Sequence, residues 1–351
     1  MSGKFAKAEI QADLLPHSLD RASPAWNVTV KRQEVKMTVA FVFPGQGSQV
    51  VGMGKALAET YASAKAVFDE VDAALSQNLS QLIWNGPEDQ LTLTENAQPA
   101  LMAVSLAVVR VLEKDHDISI GATAQYVAGH SLGEYSALAA AGTFSVTDTA
   151  RLLKIRGRAM QAATPVGTGA MAALLGLDFA TAAGVAAEAA QGEVCQAAND
   201  NSDGQVVISG HKAAVERAAE IAKARGAKRA IMLPVSAPFH CALMQPAADA
   251  MAKALSEVAM HAPVVPVMAN VRAAPLTDPA AIRDSLVAQV TGTVRWRECV
   301  AAMVAGGVTQ FIELGSGKVL TGLAKKNAPA ATALAINTPD DFAAAIALIK
   351  G

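Results

Sequence analysis

The sequence is poor in cysteine, in net charge and in long apolar runs, and each shortage excludes a class of protein. Three cysteines, Cys195, Cys241 and Cys299, stand far apart with no C-x-x-C pair, which leaves neither a disulfide framework nor a thiolate metal site. That usage fits a reducing, cytoplasmic setting. The 29 Lys and Arg against 31 Asp and Glu give a net charge of -2. No chain-wide basic field exists to hold a phosphate backbone, so no nucleic acid is expected as a partner. No apolar stretch is long enough to cross a bilayer: Met102 to Leu112 already contains Arg110 and ends at Glu113, so no membrane is expected either. Residues 1–36 carry Glu9, Asp13 and Asp20 among their bases and lack an apolar h-region, unlike a secretory or transit signal. They read as a flexible N-terminal extension, with the folded unit beginning at Met37.

What is present is apolar material in quantity. Of 351 residues, 52% are hydrophobic and 17% charged, enough to bury one large core or two modest ones. Thr38 to Phe43 is a continuous apolar run stopped by Pro44-Gly45, the mark of a strand buried on both faces. Helical patterns follow, one with Pro99 in its first turn running to Leu112, and then a short strand at Tyr126-Val127-Ala128. Strands separated by helices imply a parallel sheet. From Ala170 to Val235 the rhythm quickens to β-α-β-β-α-β, the order of a ferredoxin-like unit, with Asn201-Ser202-Asp203-Gly204 turning its central hairpin. Apolar runs at Val264 to Met268, Phe311 to Leu314 and Ala333 to Ile336 then resume the larger pattern. The chain is expected to be α/β, with a small domain at 166–235 inserted into a large one made of 37–165 and 236–351.

Gly129-His130-Ser131-Leu132-Gly133 matches G-x-S-x-G between a strand and a helical stretch. The glycines permit a sharp turn that exposes the serine hydroxyl, and the N–H after the serine can stabilise an oxyanion; the alternative is an ordinary glycine turn. A serine nucleophile needs a base, and the chain has six histidines. His17 lies in the extension, His116 in a charged loop and His211 at the start of a helix, while His130 adjoins the serine and should point away. His240 follows a stiff, proline-bearing loop where the chain returns to the large domain. Such a loop can hold an imidazole rigidly, as a base or as a packed side chain.

Arg156 has Leu152, Leu153, Ala159 and Met160 at helical spacing, so it lies on the apolar face of a helix opened by Ser145, away from the basic stripe Arg151, Lys154 and Arg158. A buried guanidinium needs an anion, either a structural Asp or Glu or a carboxylate on a substrate. The loop Pro44-Gly45-Gln46-Gly47-Ser48-Gln49 fails as a dinucleotide fingerprint, because Val50 replaces the third glycine. It is either a plain turn or the source of a second oxyanion donor from Gln46 or a neighbour. Gly315-Ser316-Gly317-Lys318 fails as a P-loop, with Ile312 at the first glycine position and Val319 at the Ser/Thr position. Cys241 reads as a buried thiol.

Phe41 to Gln49, Gly129 to Gly133, Arg156-Gly157, Asn199 to Ser202, Phe239-His240 and Glu313-Leu314-Gly315 together resemble the malonyl-CoA:acyl carrier protein transacylases of bacterial fatty acid synthesis, from Met37 to the C-terminus. The resemblance implies an α/β-hydrolase-like large domain with an inserted ferredoxin-like domain. It implies Ser131 as nucleophile, His240 as base, the main-chain N–H groups of Gln46 and Leu132 as oxyanion hole, and Arg156 as clamp for the malonyl carboxylate. Gln289 would orient His240 through its main-chain carbonyl, in place of the missing triad acid. It implies malonyl-CoA and acyl carrier protein as substrate and partner, ping-pong transfer, and no cofactor or metal. Leu132 and Phe239 match malonyl-selective members, and Lys223, Arg225, Lys228 and Arg229 are candidates for receiving an acidic carrier. The rival readings are a serine hydrolase of thioesters or esters, a polyketide acyltransferase and a non-catalytic carrier-binding scaffold.

Overall fold

In the computed structural model, which describes residues 38–235 and 237–351, the first apolar run forms β1 (Val39–Phe43), buried along its whole length. The extension expected at 1–36, with His17, and Met37 and Ser236 lie outside the described residues. β1 contributes to two cores because successive side chains point to opposite faces. Val39, Phe41 and Phe43 pack with the helices Ala62–Leu75 and Thr94–Asp115, while Ala40 and Val42 pack with Trp296, Val300 and Leu320 on the other side.

β2 (Ala124–Gly129) pairs with β1 in parallel. Four strands of a second sheet follow: β3 (Gly169–Leu175), β4 (Cys195–Ser202), β5 (Gln205–His211) and β6 (Arg229–Met232). The chain then returns to the first sheet with β7 (Val267–Ala269), β8 (Ala274–Leu276), β9 (Gln310–Leu314) and β10 (Thr332–Ile336). The large sheet has the order β10-β9-β1-β2-β7-β8 and is parallel except for the edge strand β8. The small sheet has the order β4-β5-β3-β6 and is antiparallel throughout. The helices Phe179–Ala190 and Lys212–Ala224 bury an alanine- and valine-rich face with the side chains of this sheet.

Two expectations are corrected in detail. The helix carrying Pro99 begins at Thr94, so the proline sits inside it rather than in its first turn. The early turns are held by burial of Thr94, Asn96 and Gln98, with Lys154 Nζ donating to Asn96 Oδ1 (2.8 Å), and this outweighs the bond the proline lacks. The central hairpin turns on Asp203-Gly204 alone, with Gly204 at φ +71. His116 lies in the charged loop expected for it, just beyond the helix between Asp115 and Asp117, with its ring 6.1 Å from Tyr61 and 5.2 Å from Phe342.

The two sheets are stitched where β4 meets the large region. Asp200 N–H donates to Val294 O and Val294 N–H to Ala198 O, each at 2.9 Å. Asn327 Nδ2 donates to Asn201 O (2.8 Å). This seam fixes one wall of the cleft described next.

Candidate active site

Ser131 stands between β2 and the helix Gly133–Ala140 at φ +54, a left-handed conformation costly for a residue with a Cβ. The flanking glycines explain how the turn closes. A Cβ on Gly129 would lie 1.9 Å from the Gly133 carbonyl carbon, and one on Gly133 would lie 2.2 Å from Phe43 O. Only glycine lets the helix leave so close to the strands. The turn is pinned by Asn270, just after β7, whose Oδ1 accepts the Ser131 N–H and whose Nδ2 donates to Gly129 O, both at 2.8 Å.

His240 also holds a positive φ, +59, at the end of the loop after β6. That loop is wedged against the small sheet, since a Cβ on Gly169 would meet the Pro238 ring at 2.3 Å. His240 Nδ1 lies 2.8 Å from the main-chain oxygen of Gln289, and Nε2 lies 2.8 Å from Ser131 Oγ. A carbonyl only accepts, so Nδ1 carries the proton and Nε2 is left to accept from the serine hydroxyl. Burial, reinforced by the Arg156 charge, pulls the imidazole down to about 3, so it is neutral and ready to act as a base.

Arg156 comes from the helix Val146–Ala162, opened by Ser145 Oγ accepting the Asp148 N–H (3.0 Å). It is 1% exposed. Nη1 donates to Gln98 Oε1 (2.8 Å), and Nη2 to Gln289 Oε1 (2.9 Å) and to Ser131 Oγ (3.1 Å). Nε has no partner. The guanidinium carbon lies 5.6 Å from the centre of the Tyr135 ring. No carboxylate among the described residues forms an ion pair with it, and burial lowers its pKa. Of the two anions open from sequence, the structural carboxylate is therefore not the one in contact. The neighbouring Gly157 lets this helix approach, since a Cβ there would lie 2.5 Å from Glu95 Cα.

These groups line a cleft of about 540 Å³, with Gln46, Leu132, Met160, Asn199 and Phe239 among its walls. The main-chain N–H groups of Gln46 and Leu132 have no hydrogen-bond partner among the described residues, so both are free to donate to a ligand. His130 also borders the cleft but turns Nε2 to Asn201 Oδ1 (2.8 Å). Cys241 is buried, its Sγ 3.1 Å from Pro238 O, and burial raises its thiol pKa. Glu313 is a structural group, its carboxylate accepting the Leu320 and Thr321 N–H groups at 3.1 and 2.7 Å to cap a helix. Of the basic cluster, Lys223 pairs with Glu220 and Arg225 with Glu188, both at 2.7 Å and well exposed. No group of three or more His, Cys, Asp or Glu fit to hold a metal occurs among the described residues, and no helix among them is long and apolar enough to cross a membrane.

Sequence reasoning missed a layer beneath these side chains. Gln98, Asn270, Glu134 and the side chain of Gln289 hold Arg156 and Ser131 from below. Glu134 directly follows the G-x-S-x-G pentapeptide. An acid in the first turn of a short apolar helix was the one local signal available.

Residues 40–333 match the family model described as acyl transferase domain. A malonyl CoA-acyl carrier protein transacylase of Escherichia coli K12 is 50% identical over 309 residues, which is 88% of this chain and 99% of that protein. The protein of the same name from Bacillus subtilis 168 is 46% identical over 313 residues, 89% of this chain and 97% of that one. The crystal structure of an acyl-carrier-protein-S-malonyltransferase from Bartonella henselae superposes with a TM-score of 0.88 at 56% identity, covering 90% of this chain and all of that one. With the elbow, the dyad-like pair and a match across most of its length, the chain belongs to the acyl transferase domain family.

Proposed function

We propose that this protein transfers a malonyl group from malonyl-CoA to the phosphopantetheine thiol of acyl carrier protein, through a malonyl-serine intermediate, and that it serves fatty acid synthesis. The observation that carries the reading is Arg156: a buried cation with only neutral partners, 3.1 Å from the hydroxyl of Ser131. Such a site favours an acyl group that brings its own carboxylate.

In this mechanism Nε2 of His240 takes the proton of Ser131, and Oγ attacks the thioester carbonyl. The N–H groups of Gln46 and Leu132 hold the oxyanion. The C–S bond breaks, and the CoA thiolate leaves with the proton from His240. The carrier thiol then gives its proton to His240 and attacks the ester, and Ser131 recovers its proton as it leaves. Arg156 holds the malonyl carboxylate through both steps, and the Gln289 carbonyl keeps the imidazole in its tautomer. The steps use only this chain's groups and the two substrates, with no metal or cofactor. We place the protein in the cytoplasm, in keeping with its three buried free cysteines. We divide the chain into an inserted domain at 166–235 and a large domain of 37–165 and 236–351.

Initial-rate kinetics with malonyl-CoA and holo acyl carrier protein test the reading. Parallel double-reciprocal lines are expected; intersecting lines, or release of free malonate in place of malonyl carrier, contradict it, and the second outcome identifies a thioesterase.

A further inference from the structure

Beneath the serine lies a buried carboxylate that the mechanism above does not use. Glu134 is the second residue of the helix after the elbow and is 1% exposed. Its Oε2 accepts the Asn270 main-chain N–H (3.0 Å) and the Gln289 Nε2–H (2.8 Å), while Oε1 has no partner. An unrelieved buried carboxylate is expensive, so its position calls for a reason.

We propose that Glu134 is a positioning residue that fixes the direction of the Gln289 side-chain amide and thereby aims Arg156 at the carboxylate of the acyl group. The inference rests on the malonyl reading of the site. An amide has one donor end and one acceptor end, and Gln289 is gripped at both. Oε2 of Glu134 can only accept from it, which turns the NH₂ end of Gln289 downward. The oxygen end then faces Arg156 Nη2 at 2.9 Å. Reversed, the amide would set its NH₂ against a guanidinium and its oxygen against a carboxylate, two repulsive contacts at once. The arrangement is a relay of carboxylate, amide dipole and guanidinium.

The same carboxylate reaches the nucleophile by a second arm. Asn270, held through its N–H by Glu134, accepts the Ser131 N–H on Oδ1. Gln289 Nε2 also lies 3.1 Å from Ser131 O, and the Gln289 main-chain oxygen meets His240 Nδ1. Glu134 thus braces both the clamp, through Gln289, and the elbow, through Asn270. The bracing does not require ionisation, since protonation of the free Oε1 leaves Oε2 able to accept both bonds. Burial pushes this carboxyl up to about 7, and the relay is insensitive to that change.

The test compares acylation of Ser131 by malonyl-CoA and by acetyl-CoA in the wild type, Glu134→Met and Glu134→Gln, with folding checked by thermal melting. Met keeps the length of the side chain but removes the acceptor. It should raise KM for malonyl-CoA and lower the malonyl-to-acetyl ratio of kcat/KM by about tenfold or more, since any loss through the elbow arm falls on both donors and cancels in the ratio. Gln keeps one oxygen where Oε2 stands and should restore the ratio to within about threefold of wild type. Equal losses for both acyl donors in a folded Glu134→Met protein, or a ratio in Glu134→Gln as low as in Met, overturn the proposal. Should Glu134→Met not fold, Gln289→Met removes the same relay while keeping the main-chain carbonyl, and an unchanged ratio there overturns the proposal equally. A wild type that forms no malonyl-serine contradicts the functional reading itself, which separates the two failures.

Discussion

The large parallel sheet and the small antiparallel sheet share the cleft unequally. Ser131, Arg156 and Gln289 all come from elements of the large region, at the carboxyl end of β2 or on the helices Val146–Ala162 and Pro279–Thr291. The small sheet contributes walls, Met171 and Asn199 among them, and the loop after β6 that delivers His240. Its own core is alanine and valine under two helices dotted with exposed ion pairs. A parallel sheet gathers loops at one end of its strands, so chemistry collects there. An antiparallel sheet offers a surface. Substitutions should therefore be severe in the first region and mild in the second.

The sharpest contrast is expected at the elbow. Gly133→Ala would force a methyl group to within 2.2 Å of Phe43 O, and we expect a loss of at least about 3 kcal/mol in stability, seen by chemical denaturation, together with loss of acylation. Gly184→Ala, inside the helix Phe179–Ala190 of the small region, meets nothing within 4 Å and should leave acylation unchanged while raising stability by about 0.5–1 kcal/mol. Next in size, Arg156→Ala should lower kcat/KM for malonyl-CoA by about a hundredfold or more and that for acetyl-CoA far less; equal losses would remove the clamp from the account.

The buried titratable groups of the large region should shape its response to acid. His240 is depressed from its ordinary 6.5 to about 3, whereas Glu134 is raised from 4.5 to about 7. Between pH 6.5 and 4.5 the unfolded chain takes up a proton at His240 that the native one refuses, and releases one at Glu134 that the native one keeps. The two slopes oppose each other, so together these groups leave stability nearly flat there. Below 4.5 only the His240 slope remains, and stability falls as pH falls toward 3. Glu134→Gln removes the offset, so its stability should fall from pH 6.5 downward by about 1.4 kcal/mol per pH unit relative to wild type. Parallel stability profiles for the two proteins would contradict this. The smallest effect belongs to the exposed pair Arg225 and Glu188: Arg225→Ala should change stability by less than about 0.5 kcal/mol.

How much could be read from sequence follows the same division between local and distant causes. β1, the elbow and the alternation of β3 to β6 declare themselves within a few residues, through an apolar run, two glycines and a regular spacing. Arg156 was conspicuous because its helix neighbours are apolar, although its actual partners, Gln98 and Gln289, lie 58 and 133 residues away. The helix start at Thr94 and the short edge strand β8 escaped notice, since contacts rather than propensity hold them. The side-chain layer of Glu134, Asn270 and Gln289 was missed for the same reason: Glu134 and Gln289 are 155 residues apart, and no local pattern marks an amide whose direction is set across the fold.

The central claim is a covalent malonyl-serine at Ser131, and the intact mass of the protein after brief reaction with malonyl-CoA and acid quench tests it most directly. One malonyl group added to the wild type and none to Ser131→Ala is the predicted result. An unmodified wild type, or an adduct that persists in Ser131→Ala, would contradict the account.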